Sequence, residues 1–265
     1  MINKILNRIL LTNITTFFPK TINRKLLRNF EIFFVPTKFR SLPRNYYPIF
    51  TNLKDQIDTF TKFQIQKKII KTNSNNSLNI LLGKLFKKNF FTFLDIGGDN
   101  IDFYLYLKNE LNISKYYIFN FRQIISIFRI LKKKYKLYTL YPINITYKIK
   151  QVDFVYFGSS IQYFKNYKKF LKIIFIKNPK YIFFSGTTFF MNQENKNVLV
   201  VKQTNILPHL VHLYFFNYKN FINLCEKYGY KLIKKNKNTT ANVNYKNFYQ
   251  DYSKIQYLDL LFKKK

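Results

Sequence analysis

From residue 91 onward, short apolar runs alternate with amphipathic stretches. FTFLDI (91–96), YYIFN (116–120), VDFVYF (152–157) and KYIFFS (180–185) are rich in aromatic and β-branched residues and predict strands. The segments between them predict helices over about 100–110, 121–134 and 164–177, with a short strand at 136–140. A helix over about 217–228 stops at Gly229, a common helix-ending position. The runs at 230–235 and about 255–263 predict two strands with no helix between them, hence an antiparallel pair at one edge. Upstream, Leu53, Ile57, Phe60 and Phe63 recur at helical spacing and predict a helix over 51–71. A second helix is expected over 77–87, and the polar run KTNSNNSLN (71–79) reads as a loop. Pro19, Pro36, Pro43 and Pro48 break the first part of the chain into short pieces, with a helix expected at 21–31. Strands alternating with helices imply an α/β fold with a mostly parallel sheet covered on both faces. The expected division is a helical extension over 1–75 and an α/β domain over 76–265.

This pattern puts chemistry at one place. In FTFLDIGGDNID (91–102) a strand ends in Asp95, Ile96 and the pair Gly97-Gly98, and a helix follows. The chain has six glycines and twelve acidic residues; two of the former and three of the latter (Asp95, Asp99, Asp102) fall in this segment. Strand, glycine turn and helix bring backbone N–H groups close to a ligand, and glycine is needed where a Cβ would block the approach or φ is positive. Three carboxylates are a poor setting for pyrophosphate and a good one for a cationic, hydroxyl-rich ligand. S-adenosylmethionine (SAM), with its sulfonium, ammonium and ribose diol, fits that description. Gly158 and Gly186 also follow predicted strands, so four of the six glycines lie at the expected ligand-facing rim.

Composition narrows the alternatives. The net charge of +34 would ordinarily point to a polyanionic partner. However, the basic residues are 39 Lys and only 7 Arg, Ala occurs once, and Trp is absent. That bias is what AT-rich coding produces, and nucleic-acid interfaces favour Arg. The runs KKYKLY (133–138) and KNYKKF (165–170) interleave cations with aromatics. They keep open an alternative: a degenerate enzyme fold binding nucleic acid or a membrane surface. The single cysteine, Cys225, leaves no intramolecular disulfide and no cysteine-based zinc site, and fits a reducing cytoplasm. No metal is expected. No apolar stretch reaches 18 residues, so no transmembrane helix is expected. The basic, amphipathic start lacks the apolar core and cleavage site of a signal peptide. Phosphate-loop, nucleophile-elbow and zinc-protease motifs are missing.

The order of elements resembles a class I SAM-dependent methyltransferase. More narrowly, the chain resembles a family of bacterial methyltransferases often encoded among surface-polysaccharide genes. The matching segments are FLDIGGDN (93–100), VDFVYFGSSIQYFKNYKKFL (152–171), PKYIFFSGTTFF (179–190) and VVKQTNILPHLVHLYFFNYKNFINLCEKYGYKLI (200–233). The resemblance implies a Rossmann-like, mostly parallel seven-stranded sheet with a terminal antiparallel pair. It also implies methyl transfer from SAM to a small-molecule or glycan acceptor, with a sugar hydroxyl as the expected target. Cofactor contacts would come from Asp95, Gly97, Gly98, Asp99, Asn120, Gly158 and Ser159. Acceptor contacts would come from Ser160, Gln162, Tyr163, Gln203 and His212, with His209 as general base. Two positions depart from the pattern: Asp99 stands where a third small residue is usual, and Asn120 where an acid usually grips the ribose diol. An amide cannot accept from both hydroxyls as a carboxylate does.

Overall fold

A computed structural model describes residues 33–36, 52–66, 73–87, 89–144, 149–191, 198–206, 209–238 and 255–265. The helix expected at 21–31 lies outside them. The described strands are β1 (Phe33–Pro36), β2 (Phe91–Ile96), β3 (Ile113–Phe119), β4 (Leu140–Ile143), β5 (Phe154–Gly158), β6 (Tyr181–Phe190), β7 (Val198–Ile206), β8 (His209–Asn217), β9 (Tyr230–Lys237) and β10 (Ile255–Lys264). The helices are α1 (Leu53–Gln66), α2 (Asn73–Phe86), α3 (Ile101–Glu110), α4 (Arg122–Lys134), α5 (Tyr167–Ile176) and α6 (Tyr218–Lys227). A single 3-10 turn (Ile161–Tyr163) follows β5.

All ten strands join one sheet in the order β1-β7-β8-β6-β5-β2-β3-β4, with β10 on β6 and β9 on β10. Strands β2 to β6 pair in parallel with one another. From β2 the chain steps outward to β3 and β4, then returns across β2 to β5 and β6. That reversal makes the carboxyl ends of β2 and β5 the topological switch point, where open α/β sheets leave a crevice.

The sheet alternation sends residues to two cores. Phe91 and Phe93 of β2, with Phe154 of β5, pack on the side of α1 to α4; Leu94 and Ile96, with Val155 and Phe157, pack on the side of α5 and α6. Aromatics fill both layers in this alanine-poor chain. Phe93 stacks on Tyr116 at 5.1 Å and on Phe154 at 5.4 Å, and Phe157 stacks on Phe184 at 4.8 Å. Such cross-strand pairs add about 0.5–1.5 kcal/mol each beyond their buried area. Phe60 of α1 belongs to the first core, and the buried Gln56 accepts from the Ile101 amide at 2.7 Å. The helix expected in the extension therefore caps the start of α3.

Four features differ from the sequence reading. Helix α2 begins at Asn73, inside the polar run expected to be a loop; Asn and Ser suit the first turn of a helix as well as they suit a turn. The short strand is Leu140–Ile143, because 135–139 turn first, with Lys136 at φ 52°. The terminal pair is antiparallel as expected, but β10 lies between β6 and β9 and leaves β9 as the edge. The seven expected strands become ten through β1 and the β7–β8 hairpin, which the irregular alternation of 198–217 concealed. At Phe189 and Phe190, β10 takes one edge of β6 and β8 takes the other, the edge held by β5 up to Ser185. The hairpin thus extends the sheet past the end of β5.

Candidate functional site

The Gly97-Gly98 turn stands at the switch point, half-buried, with Asp99 and Asn100 exposed beyond it. Gly97 has φ +88°, and a Cβ there would sit 2.6 Å from the Ser160 Cβ. A Cβ on Gly98 would come within 2.0 Å of Asp95 Oδ2. Both glycines are therefore required by the protein's own packing. Gly97 N–H donates to Phe119 O at 2.8 Å, and Ser160 Oγ donates to Ile96 O at 2.6 Å. These bonds clip the turn to β3 on one side and to the residues after β5 on the other. Asn100 then caps α3, its side chain accepting from the Asp102 amide.

Asp95 is 2% exposed, and its Oδ2 accepts from the Tyr116 hydroxyl at 2.7 Å. Burial pushes its carboxyl up from 3.8 to about 7; the Tyr116 hydrogen bond opposes the rise and the charge of Asp99 adds to it. The same burial, followed by the charge of Asp95, raises the phenol of Tyr116. Tyr156 on β5 lies opposite Asp95 in register, and burial and then Asp95 raise its phenol too. A cation placed beside this buried carboxyl would favour its ionised form.

The second lip is built from β5, β6 and β10. Ser159 has φ +50°, and its amide donates to Ser185 O at 2.8 Å. Ser185 and Gly186 form a β-bulge opposite Asp259, with Gly186 at φ +56°. Asp259 Oδ1 accepts from Gly186 N at 2.8 Å, Ser185 Oγ at 3.0 Å and Asn238 Nδ2 at 2.8 Å. A Cβ on Gly186 would lie 2.2 Å from Ser159 Oγ, so the ends of β5 and β6 touch within this lip. Gln162, in the 3-10 turn, donates from Nε2 to Gly186 O at 3.3 Å.

The structure brings Asp95, Gly97, Gly98, Asp99, Asn120, Gly158, Ser159 and Ser160 to this rim. Asn120 is already engaged at both ends: Nδ2 donates to Gly98 O at 2.7 Å, and Oδ1 accepts from the Phe121 amide at 2.7 Å. Gln162 is buried, and Tyr163 is half-buried against Phe190, Leu213, Phe215 and Ile255. Gln203 lies in β7 opposite Val211, and His212 in β8 opposite Lys202. His209 begins β8, seven residues before Phe216, which pairs with Phe189; that is about 23 Å of extended strand. Sequence reasoning missed Gln56, Tyr116, Tyr156, Ser185, Thr187 and Asp259. Gln56, Tyr116 and Asp259 lie in elements that carry no motif; Tyr156, Ser185 and Thr187 lie inside the matching segments, but only the strand order shows what they face. Among the described residues no group of three or more metal-ligating side chains converges, and no helix is long and apolar enough to cross a membrane.

No protein-family model matches the sequence, and no curated protein matches it. Solved structures do match in architecture. The 1,6-didemethyltoxoflavin-N1-methyltransferase of Burkholderia thailandensis, with bound 1,6-didemethyltoxoflavin and S-adenosylhomocysteine (SAH), superposes with a TM-score of 0.51 at 9% identity, over 86% of this chain and 93% of that one. The N-terminal domain of EvdMO1, in the presence of SAH and D-fucose, gives 0.54 at 9% identity, over 74% and 84%. The cyclase SpnF gives 0.50 at 8% identity, over 71% and 80%. The chain therefore has the Rossmann-like class I methyltransferase fold. Likeness at this identity concerns the fold, and function has to be argued from the site.

Proposed function

We propose that the protein is a cytoplasmic SAM-dependent methyltransferase that acts on a hydroxyl of a sugar or another small acceptor, in surface-glycan synthesis. The observation that carries this reading is the acidic glycine turn at the switch point, with Asp95 buried and held near neutrality behind it. The donor set fits the cofactor. Carboxylates around the turn suit an ammonium and a sulfonium and disfavour phosphate, and a bound cation would offset the burial that raises Asp95, Asp99 and Asp102. Half-buried Gly98, which has no side chain, and exposed Asp99 leave room for a close approach. Phe121, 53% exposed and next to Asn120, supplies an apolar surface for an adenine. Two of the folds it resembles were crystallised with SAH.

Bound there, SAM supplies a methyl group already activated by its sulfonium, so the protein's task is positioning and exclusion of water. Asp95 and Asp99 hold the amino-acid end, and Gly97 and Gly98 let the backbone wrap it. Asn120 braces the turn through Gly98 O, so any ribose contact it makes competes with that bond. Gly158 and Ser159 complete the cofactor side, and Ser160, Gln162 and Tyr163 form the acceptor side, with Gln203 and His212 from the hairpin. A hydroxyl acceptor needs a base, and His209 is assigned that role. Calorimetric titration with SAM and with SAH tests the reading. Saturable binding tighter than about 1 mM is expected; failure of both to bind would remove the enzyme assignment and leave the fold.

A further inference from the structure

Two buried polar atoms beside the second lip have no hydrogen-bond partner in the protein: Gln162 Oε1 and Thr187 Oγ1. Gln162 is 1% exposed and Thr187 0%. Native proteins pair nearly all such atoms, so an orphan asks for an occupant. The next residue along β6 shows the contrast: Thr188 Oγ1 donates to Tyr214 O at 2.6 Å. Gln162 and Thr187 meet through one residue, since Gln162 Nε2 donates to the carbonyl of Gly186, immediately before Thr187. Asp259 fixes that carbonyl from the other side by accepting from the Gly186 amide. The site adjoins the crevice, because Ser160, two residues before Gln162, packs on Gly97, and Gly186 lies against Ser159.

The atom types select the occupant. Gln162 Oε1 can only accept, whereas Thr187 Oγ1 can donate and accept. A carboxylate or fully ionised phosphate has no proton for Oε1, and an ammonium, though it can donate to both oxygens, would be a charge buried between two neutral groups, which costs more than those bonds return. A neutral hydroxyl can satisfy both. We infer that Gln162 and Thr187 form a subsite for a hydroxyl of a neutral polyol. This rests on the methyltransferase reading and names the chemical class of its acceptor. Both atoms are closed off from solvent, so a ligand reaches them only when the segment after β5 parts from β8, to which it is tied at Lys165, whose carbonyl accepts from the Tyr214 hydroxyl at 2.9 Å. A resident water offers the same chemistry, and the test separates the two sources.

The full chain, saturated with SAH, is probed by saturation-transfer NMR with methyl glycosides of neutral hexoses and 6-deoxyhexoses, with sugar phosphates and amino sugars as charged comparators. At least one neutral glycoside is expected to bind in preference to its charged counterparts. Thr187→Val should weaken it about tenfold, the loss of one buried hydrogen bond, and Thr187→Ser should restore it. SAH affinity should stay within about twofold, and the urea midpoint of Thr187→Val should be unchanged or higher, because an orphan hydroxyl is removed at constant shape. Three results overturn the inference: no neutral glycoside binds, binding ignores Thr187→Val, or Thr187→Val unfolds at lower urea than wild type, which identifies a resident water. If SAH fails to bind while a glycoside still binds in a Thr187-dependent way, the cofactor assignment falls and the polyol subsite stands.

Discussion

Replacing Asp95 by Asn tests the electrostatic core of the site. In the folded chain burial raises this carboxyl from 3.8 to about 7. A raised acid binds its proton more tightly folded than unfolded, so its ionisation opposes folding. The penalty is absent below 3.8, grows as pH rises, and is complete above about 7. Its full size corresponds to about 4 kcal/mol, with about 2 kcal/mol already present at pH 5. Asp95→Asn keeps an oxygen to accept from the Tyr116 hydroxyl and removes the charge. The variant should therefore be more stable than wild type by up to about 4 kcal/mol at pH 8 and by about 2 kcal/mol at pH 5. Urea unfolding followed by far-UV circular dichroism reads this directly, since the chain has no Trp for fluorescence. The same variant should bind SAH at least tenfold more weakly, having lost the partner for an ammonium. Wild-type binding should tighten with pH up to about 7, as the ligand draws out the Asp95 proton. A variant no more stable than wild type at pH 8 would refute the buried, near-neutral carboxyl. A stabilised variant with unchanged SAH affinity would keep the electrostatics and detach them from the ligand.

Other substitutions separate packing from chemistry. Gly98→Ala drives a methyl into the Asp95 carboxylate and should cost about 1–3 kcal/mol in urea unfolding; Gly97→Ala adds a positive-φ penalty to its contact with Ser160 and should cost about 3 kcal/mol. Asp259→Ala leaves the Gly186 amide, Ser185 Oγ and Asn238 Nδ2 without their acceptor, and a loss of about 2 kcal/mol is expected by thermal or urea unfolding, with SAH affinity little changed. His209→Ala should lower kcat about a hundredfold or more with SAH affinity intact if the imidazole is the base; an unchanged kcat on an active acceptor would move that role elsewhere.

Local sequence determined the elements that depend on neighbours. Apolar runs of strand length marked β2, β3, β5 and β6, because strands covered wholly or partly on both faces carry β-prone apolar side chains in succession. Gly97 and Gly98 were legible because the chain has so few glycines, and the acids around them because the chain has so few acids. The β7–β8 hairpin was not legible, since its runs lack a clean alternation and its pairing with β6 involves only Phe189 and Phe190.

Tertiary structure decided what these residues mean. Ser160 meets Gly97 across 63 positions of chain, and Asp259 reaches the Ser185-Gly186 bulge from the far end of the sequence only because β10 inserts beside β6. The identity of Asp95 was plain from the sequence, but its titration near neutrality was not. Desolvation depends on every atom packed around a group, and no stretch of sequence around residue 95 contains Tyr116 or Tyr156. Short-range preference sets secondary structure and the glycine turn, whereas charge state and unpaired buried hydrogen-bonding atoms are properties of the packed whole.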